Sequence, residues 1–319
     1  MIKRLLKRIL VVFILLVVLW IATQYWFAEP ARLLPANKHT GFDVIAHRGG
    51  RGIAPENTLH AFETSDKLGV DVLEMDIHLT KDDQLAVIHD ATLDRTTNGN
   101  GEVKDYSLRE LQKYDAAYHY SPDPAYNNSR DSSIYSDLAD NEELFPLRGK
   151  GIRIPGLQDV FRRFPQKRMV IEIKPNRIDI VEPFCRMIKD FQKEDHLIIG
   201  SFHEEVLVHF RMVCPGVATS AFSKEATRFV LFDKVFLAGM ISPDYIALQI
   251  PPDIKTKLVG NRPIVSVVTR SLMKAARGKE LIVQVWTVNE TDQMKEMIDI
   301  GVNGIMTDYP DRLLNLLGR

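Results

Sequence analysis

The chain has 319 residues, enough for two average domains or for one α/β barrel of roughly 250 residues. With 45% apolar and 26% charged residues it has the composition of a globular protein with a large core, and its formal net charge of -1 gives no global reason to expect nucleic-acid binding. Its two cysteines, Cys185 and Cys214, show neither metal-ligand spacing nor a disulfide framework and read as buried apolar residues.

The amino terminus carries Lys3, Arg4, Lys7 and Arg8, followed by an uncharged run from Ile9 to Ala28. As a helix rising ~1.5 Å per residue, that run reaches about 30 Å, the thickness of a bilayer core. A cleavable signal peptide needs small residues ahead of its cut, and Trp20, Trp26 and Glu29 occupy those positions before Ala22, Ala28 and Ala31. The expectation is therefore an uncleaved single-pass anchor over 9–28, with residues 1–8 cytoplasmic, a linker over 29–40, and residues 41–319 outside the cytoplasm as the folded domain. Trp20, Tyr25 and Trp26 suit the outer interface.

From residue 41, short apolar segments alternate with amphipathic ones. Strand patterns fall at 42–47, 71–79, 84–90, 168–174, 196–202, 216–222, 244–250, 281–288 and 303–308, most followed by helical spacing. This order implies parallel βαβ units. Pairing 84–90 with the preceding segment across the turn "KDDQ" leaves eight strands, the number that closes a barrel. The segment "RPIVSVV" at 262–268 also reads as a strand, so a doubly wound sheet stays open. An insertion is expected over about 95–155. Within it, 120–146 is polar, turn-rich and without periodicity, a loop or a lid, with Tyr120, Tyr126, Tyr135 and Phe145 as its apolar surface.

Alternate residues of a strand point the same way. Glu74, Asp76 and His78 therefore share one face of 71–79, and Glu172 and Lys174 share one face of 168–174. His47 and Arg48 close the first strand, and His89 ends the hairpin arm. Carboxylates crowded at neighbouring strand ends need a cation to offset their repulsion, and a carboxylate set suits a hard divalent ion, Ca²⁺ or Mg²⁺. Lone histidines are more often structural, and His60, His78, His119, His196, His203 and His209 are read so.

The stretches "AHRGGRGIAPENT", "EMDIHLTKDDQLAVIHD", "LDRTTNGNG", "EIKP", "VWTVN" and "GVNGIMTDYP", in this order, resemble the glycerophosphodiester phosphodiesterase family from about residue 43 to 311. The resemblance implies a TIM (β/α)8 barrel, a divalent metal, and hydrolysis of glycerophosphodiesters to glycerol 3-phosphate and an alcohol. Carried over by residue, it implies His47 and His89 as the acid–base pair and Glu74, Asp76 and Glu172 as metal ligands. Arg48 and Lys174 become phosphate contacts, and Trp286 an aromatic at the substrate mouth. Arg51, in a position often small or polar, departs from the pattern. A lysophospholipase D acting on lysophospholipids is the enzymatic alternative, and a non-catalytic phospholipid-binding protein is a further one, which the two histidines argue against. Membrane and substrate are the expected partners; no protein partner is evident.

Overall fold

The computed structural model describes residues 2–27, 41–123, 142–255 and 263–319. Its eleven described strands are β1 (Asp43–Ala46), β2 (Val72–Leu79), β3 (Leu85–Val87), β4 (Arg168–Ile173), β5 (Leu197–Gly200), β6 (Ala218–Thr219), β7 (Ala247–Ile250), β8 (Asp253–Lys255), β9 (Pro263–Ser266), β10 (Ile282–Val285) and β11 (Gly304–Thr307). The described helices are α1 (Ile2–Phe27), α2 (Leu59–Leu68), α3 (Leu108–Leu111), α4 (Leu157–Arg163), α5 (Val181–Asp190), α6 (Glu204–Val213), α7 (Ser223–Lys234), α8 (Arg270–Gly278), α9 (Thr291–Ile300) and α10 (Pro310–Leu317).

Eight parallel strands run in the order β6-β5-β4-β2-β1-β11-β10-β7, and a parallel bridge between Ser220 and Ala247 joins the two ends. The result is a nearly closed TIM-type barrel. β3 folds back antiparallel on β2, pairing Ile77 with Val87, as the turn at "KDDQ" requires. The segment at 262–268 is not a barrel strand: β9 pairs antiparallel with β8 as a separate two-stranded ribbon. Its alternation is that of a hairpin with its own partner, which a single-strand pattern does not distinguish from a barrel strand.

Strand parity divides the core into two layers. Val44, Leu73, Met75, Ile77 and Ile171 pack outward against the helices, while Ile45, Val72, Val170, Ile198 and Met306 fill the barrel interior. Interior positions then change character along the strands: Val72 is followed on its face by Glu74 and Asp76, and Val170 by Glu172. The apolar plug closes one end of the barrel and leaves polar groups at the other.

The insertion between β2 and β4 has a core of its own, in which Ile88, Leu93, Val103, Leu111 and Ile154 are buried together. Tyr120 and Phe145 are buried as well, so they offer no surface for a ligand. Tyr126 and Tyr135, with most of the expected loop or lid, lie outside the described residues, as does the linker at 29–40.

The cysteines differ from expectation. Cys185 on α5 and Cys214 just after α6 form a disulfide, with Cα atoms 5.8 Å apart. Both are indeed buried, but the packing of α5 on α6 brings them together, and a separation of 29 in sequence carries no trace of that.

α1 carries exposed apolar side chains along its length, Leu10, Phe13, Leu15 and Leu19 among them. Among the described residues no helix is long and apolar enough to cross a membrane. The expected anchor is thus present as a helix, without a membrane span being shown.

Candidate active site

β1 delivers His47 to the polar end of the barrel, and the chain then turns sharply through Arg48 (φ 50), Gly49 (φ 80) and Gly50 (φ 83). Left-handed backbone is what glycine takes freely. At Gly49 a β-carbon would also sit 2.8 Å from that of Ala61. The turn aims the Arg48 N–H at Glu74, to which it donates at 2.6 Å.

Glu74 and Asp76 from β2 and Glu172 from β4 converge as parity predicts: one oxygen of each lies within 4.8 Å of the others. Register explains the meeting, since β2 and β4 pair with Asp76 opposite Glu172. Asn57 fixes Asp76 from both sides, its Nδ2 donating at 2.9 Å to Oδ2 and its Oδ1 accepting from the Asp76 N–H at 3.2 Å. Lys174 Nζ stands 2.9 Å from Glu172 and 3.3 Å from Asp76, and Arg48 Nε is 3.5 Å from Asp76.

These carboxyl groups respond differently to burial. Burial raises Glu74 well above the usual carboxylate range, and the adjacent Asp76 charge adds to the effect. Glu172 is raised by the same two causes. Burial would raise Asp76 too, but Arg48 and Lys174 more than offset it and hold the group low. Two buried acids and a half-buried one in one spot, two of the three reluctant to ionise, form a donor set short of positive charge. Hard oxygen donors at this separation fit a divalent ion such as Ca²⁺ or Mg²⁺.

Both predicted histidines are tethered through Nδ1, which leaves Nε2 for the cavity. His47 Nδ1 is 2.5 Å from Asp308 Oδ1, and His89 Nδ1 is 2.6 Å from Asp90 Oδ1. Burial lowers His47 despite the raising effect of Asp308, so its neutral form is favoured. His78, on the same face as the acids, does not enter the cluster. Its Nε2 lies 3.1 Å from the His89 carbonyl oxygen, holding the backbone of that residue.

Several site residues escaped the sequence reading. Asp308, beyond the end of β11, is gripped by Asn289 Nδ2 at 2.8 Å and by Arg51 Nε at 3.0 Å. Burial would raise it, but the contact with His47, the Arg51 charge and the Asn289 hydrogen bond hold it at about 2. A signal existed, because Met306 and Asp308 share a face as Glu74 and Asp76 do. Arg51, noted only as a departure, is thus a support for Asp308. Glu56 binds both Arg48, at 3.0 Å, and Arg95, at 2.6 Å, and Arg95 Nε reaches Asp90 at 2.6 Å. These residues lie in loops without periodicity, where parity says nothing.

One cavity of about 480 Å³ has His47, Arg48, Glu74, His89, Glu172 and Lys174 in its wall, and Trp286 beside them. Trp286 meets Phe202 edge to face at 5.8 Å. From there the cavity continues as an apolar arm along α7 and β8, past Ala226, Val230, Leu231 and Ile254. Seven of the eight predicted residues therefore line one cavity, and the eighth, Asp76, lies beside Glu74 and Glu172.

The model of the glycerophosphoryl diester phosphodiesterase family matches residues 47–312, which contain every residue of this cluster. The chain belongs to that family. A glycerophosphodiester phosphodiesterase of Caldanaerobacter subterraneus subsp. tengcongensis is 32% identical over 279 residues, covering 86% of this chain and 97% of the relative. The lysophospholipase D GDPD1 of Mus musculus is 30% identical over 316 residues, covering 93% of this chain and 94% of its own. Among solved structures, an Oleispira antarctica phosphodiesterase in complex with sn-glycerol-3-phosphate superposes with a TM-score of 0.61 at 20% identity, covering 93% of this chain and 99% of that one. As a member of the glycerophosphodiester phosphodiesterase family, the protein is a phosphoric diester hydrolase that cleaves glycerophosphodiesters to glycerol 3-phosphate and an alcohol.

Proposed function

We propose that hydrolysis proceeds by acid–base catalysis between His47 and His89 beside a divalent ion, Ca²⁺ or Mg²⁺, held by Glu74, Asp76 and Glu172. The observation that carries this is the meeting of Glu74, Glu172 and both imidazoles in the wall of one cavity, with Asp76 within 4.8 Å of the two glutamates. The ion, when bound, supplies positive charge to the phosphate oxygens. Lys174 and Arg48 add to it, so the charge that develops on those oxygens in the transition state meets cations already in place. His47, kept neutral by burial and with Nδ1 donating to Asp308, presents an Nε2 lone pair and accepts the proton of the attacking oxygen. His89, held by Asp90 and by His78 through its backbone, donates to the departing alcohol oxygen. Trp286 and Phe202 flank the entrance to the apolar arm. Product analysis on glycerophosphocholine, with and without Ca²⁺ or Mg²⁺, tests this: glycerol 3-phosphate should appear only with the ion.

A second substrate class is favoured by the apolar arm. A glycerophosphodiester with a small head group has no use for the wall of Ala226, Val230, Leu231 and Ile254, whereas the acyl chain of a lysophospholipid does. The lysophospholipase D activity named for the Mus musculus relative agrees with this reading. Lysophosphatidate and free head-group alcohol from a lysophospholipid would establish it.

We also propose that the segment 9–28 anchors the chain, with the barrel outside the cytoplasm. Its support is the basic start, the apolar surface that α1 exposes, and the Cys185–Cys214 disulfide, which persists in oxidising compartments. Protease protection in sealed membrane vesicles tests the orientation.

A further inference from the structure

α7 ends unusually. The N–H of Leu237 donates to the Phe232 carbonyl at 2.7 Å and that of Phe236 to the Asp233 carbonyl at 3.0 Å, the pairing that closes a helix through a left-handed residue. Glycine ordinarily takes that place, but here it is Phe236, at φ 61 and 83% exposed. Beside it Val235 is 59% exposed, and one turn back Leu231 is 60% exposed. A bulky aromatic in a backbone that favours glycine, turned to the outside with two aliphatic neighbours, is poorly suited to water.

Two relations say what covers this surface. The first is with α1. The 3-10 turn Ala238–Met240, two residues beyond Phe236, is the part of the barrel domain that α1 approaches most. Ile21 of α1 is half-buried, whereas Leu6, Phe13 and Leu19 are exposed. The apolar helix thus meets the barrel at its carboxyl end, and a bilayer enclosing the rest of it would lie next to Phe236. The second relation is with the cavity. Leu231 and Val230 belong both to this face of α7 and to the apolar arm that ends at Glu172 and Lys174.

We propose that Leu231, Val235 and Phe236 form a bilayer-docking surface, which seats the mouth of the apolar arm on the membrane and admits the acyl chain of a lysophospholipid directly from it. This rests on the reading of α1 as an anchor. Phe236 at the lipid boundary holds the cavity against the surface, and Leu231 continues the apolar path from the lipid to the catalytic acids. The diester then reaches the carboxylates without its chain passing through water, where exposure of its methylenes is unfavourable.

The test uses the full chain in vesicles of phosphatidylcholine and phosphatidylglycerol. Because both native cysteines are bridged, Phe236→Cys places a lone thiol for a nitroxide label, and Leu15→Cys does the same within α1. Relative accessibility to oxygen and to a water-soluble nickel complex reports depth. Both labels should lie in the lipid. A label at 15 in the lipid with one at 236 in water overturns the docking surface and leaves the anchor standing; a label at 15 in water overturns the anchor. In parallel, Phe236→Asp should lower the rate on lysophosphatidylcholine in these vesicles by roughly 10-fold while leaving the rate on dissolved glycerophosphocholine unchanged. Equal lysolipid rates for Phe236→Asp and the parent would overturn the delivery role, and so would a parent that leaves lysophosphatidylcholine uncut while hydrolysing glycerophosphocholine.

Discussion

His47 and Asp308 are 261 positions apart and touch at 2.5 Å, one beyond the end of β1 and the other beyond the end of the neighbouring β11. The carboxylate fixes the ring with Nδ1 toward itself and Nε2 toward the cavity, and Arg51 and Asn289 keep the carboxylate in place. His47→Ala should lose at least ~10²-fold in kcat. Asp308→Asn keeps the shape but removes a charge that raises the imidazole, so it should lose less and shift the acid limb of kcat/KM downward. An upward shift would contradict the pairing.

The direction of the His47 shift fixes the pH dependence. Burial lowers its pKa below 6.5, so the base is neutral and competent at lower pH than a free imidazole would be. The acid limb of kcat/KM should therefore fall below 6.5. A rate profile across pH 4 to 10 in the presence of saturating metal checks this.

His89→Ala should also lose at least ~10²-fold in kcat. His78 touches only the His89 backbone among the polar groups of the site, so His78→Gln should cost much less and leave the shape of the pH profile unchanged. Comparing the two profiles separates a group that moves a proton from one that holds a loop.

Chelation should abolish turnover, and added Ca²⁺ or Mg²⁺ should restore it. In the chelated protein Glu74 and Glu172 have raised pKa values, so the folded state holds protons that the unfolded state releases. The stability these groups contribute is present below the ordinary glutamate range and lost as pH rises through their folded values. The Tm of the metal-free protein should accordingly fall with rising pH relative to that of a variant with both Glu74→Gln and Glu172→Gln, and divalent ion should oppose the fall while releasing protons, measurable by calorimetry in two buffers. Glu172→Gln should weaken metal binding more than it lowers the Tm of the chelated protein.

Cys185→Ser should destabilise the domain by about 2–4 kcal/mol, the range for a bridge that closes a loop of this size. Denaturant unfolding with and without reductant measures it, and the variant should be indifferent to reductant.

A chain truncated to begin at Asn37 lacks no cavity residue and should keep its kcat on glycerophosphocholine. Its rate on lysolipid in vesicles should fall relative to the full chain, because the anchor supplies local concentration. Equal rates on vesicles would leave the anchor a retention device.

The sequence by itself determined the positions of the eight barrel strands and the placement of Glu74, Asp76, Glu172 and Lys174 on them, because the two-residue alternation of a strand is a local property that survives without knowledge of neighbours. Periodicity was also sufficient for the hairpin at "KDDQ". Three things waited for the tertiary structure. The pairing of Cys185 with Cys214 depends on how two helices pack, and the exclusion of 262–268 from the barrel depends on which partner its backbone finds. The support of His47 by Asp308, and of Arg48 and Arg95 by Glu56, depends on closure of the barrel. Closure places β11 beside β1 and folds the loops over the strand ends, so residues with no spacing relation meet at hydrogen-bond distance.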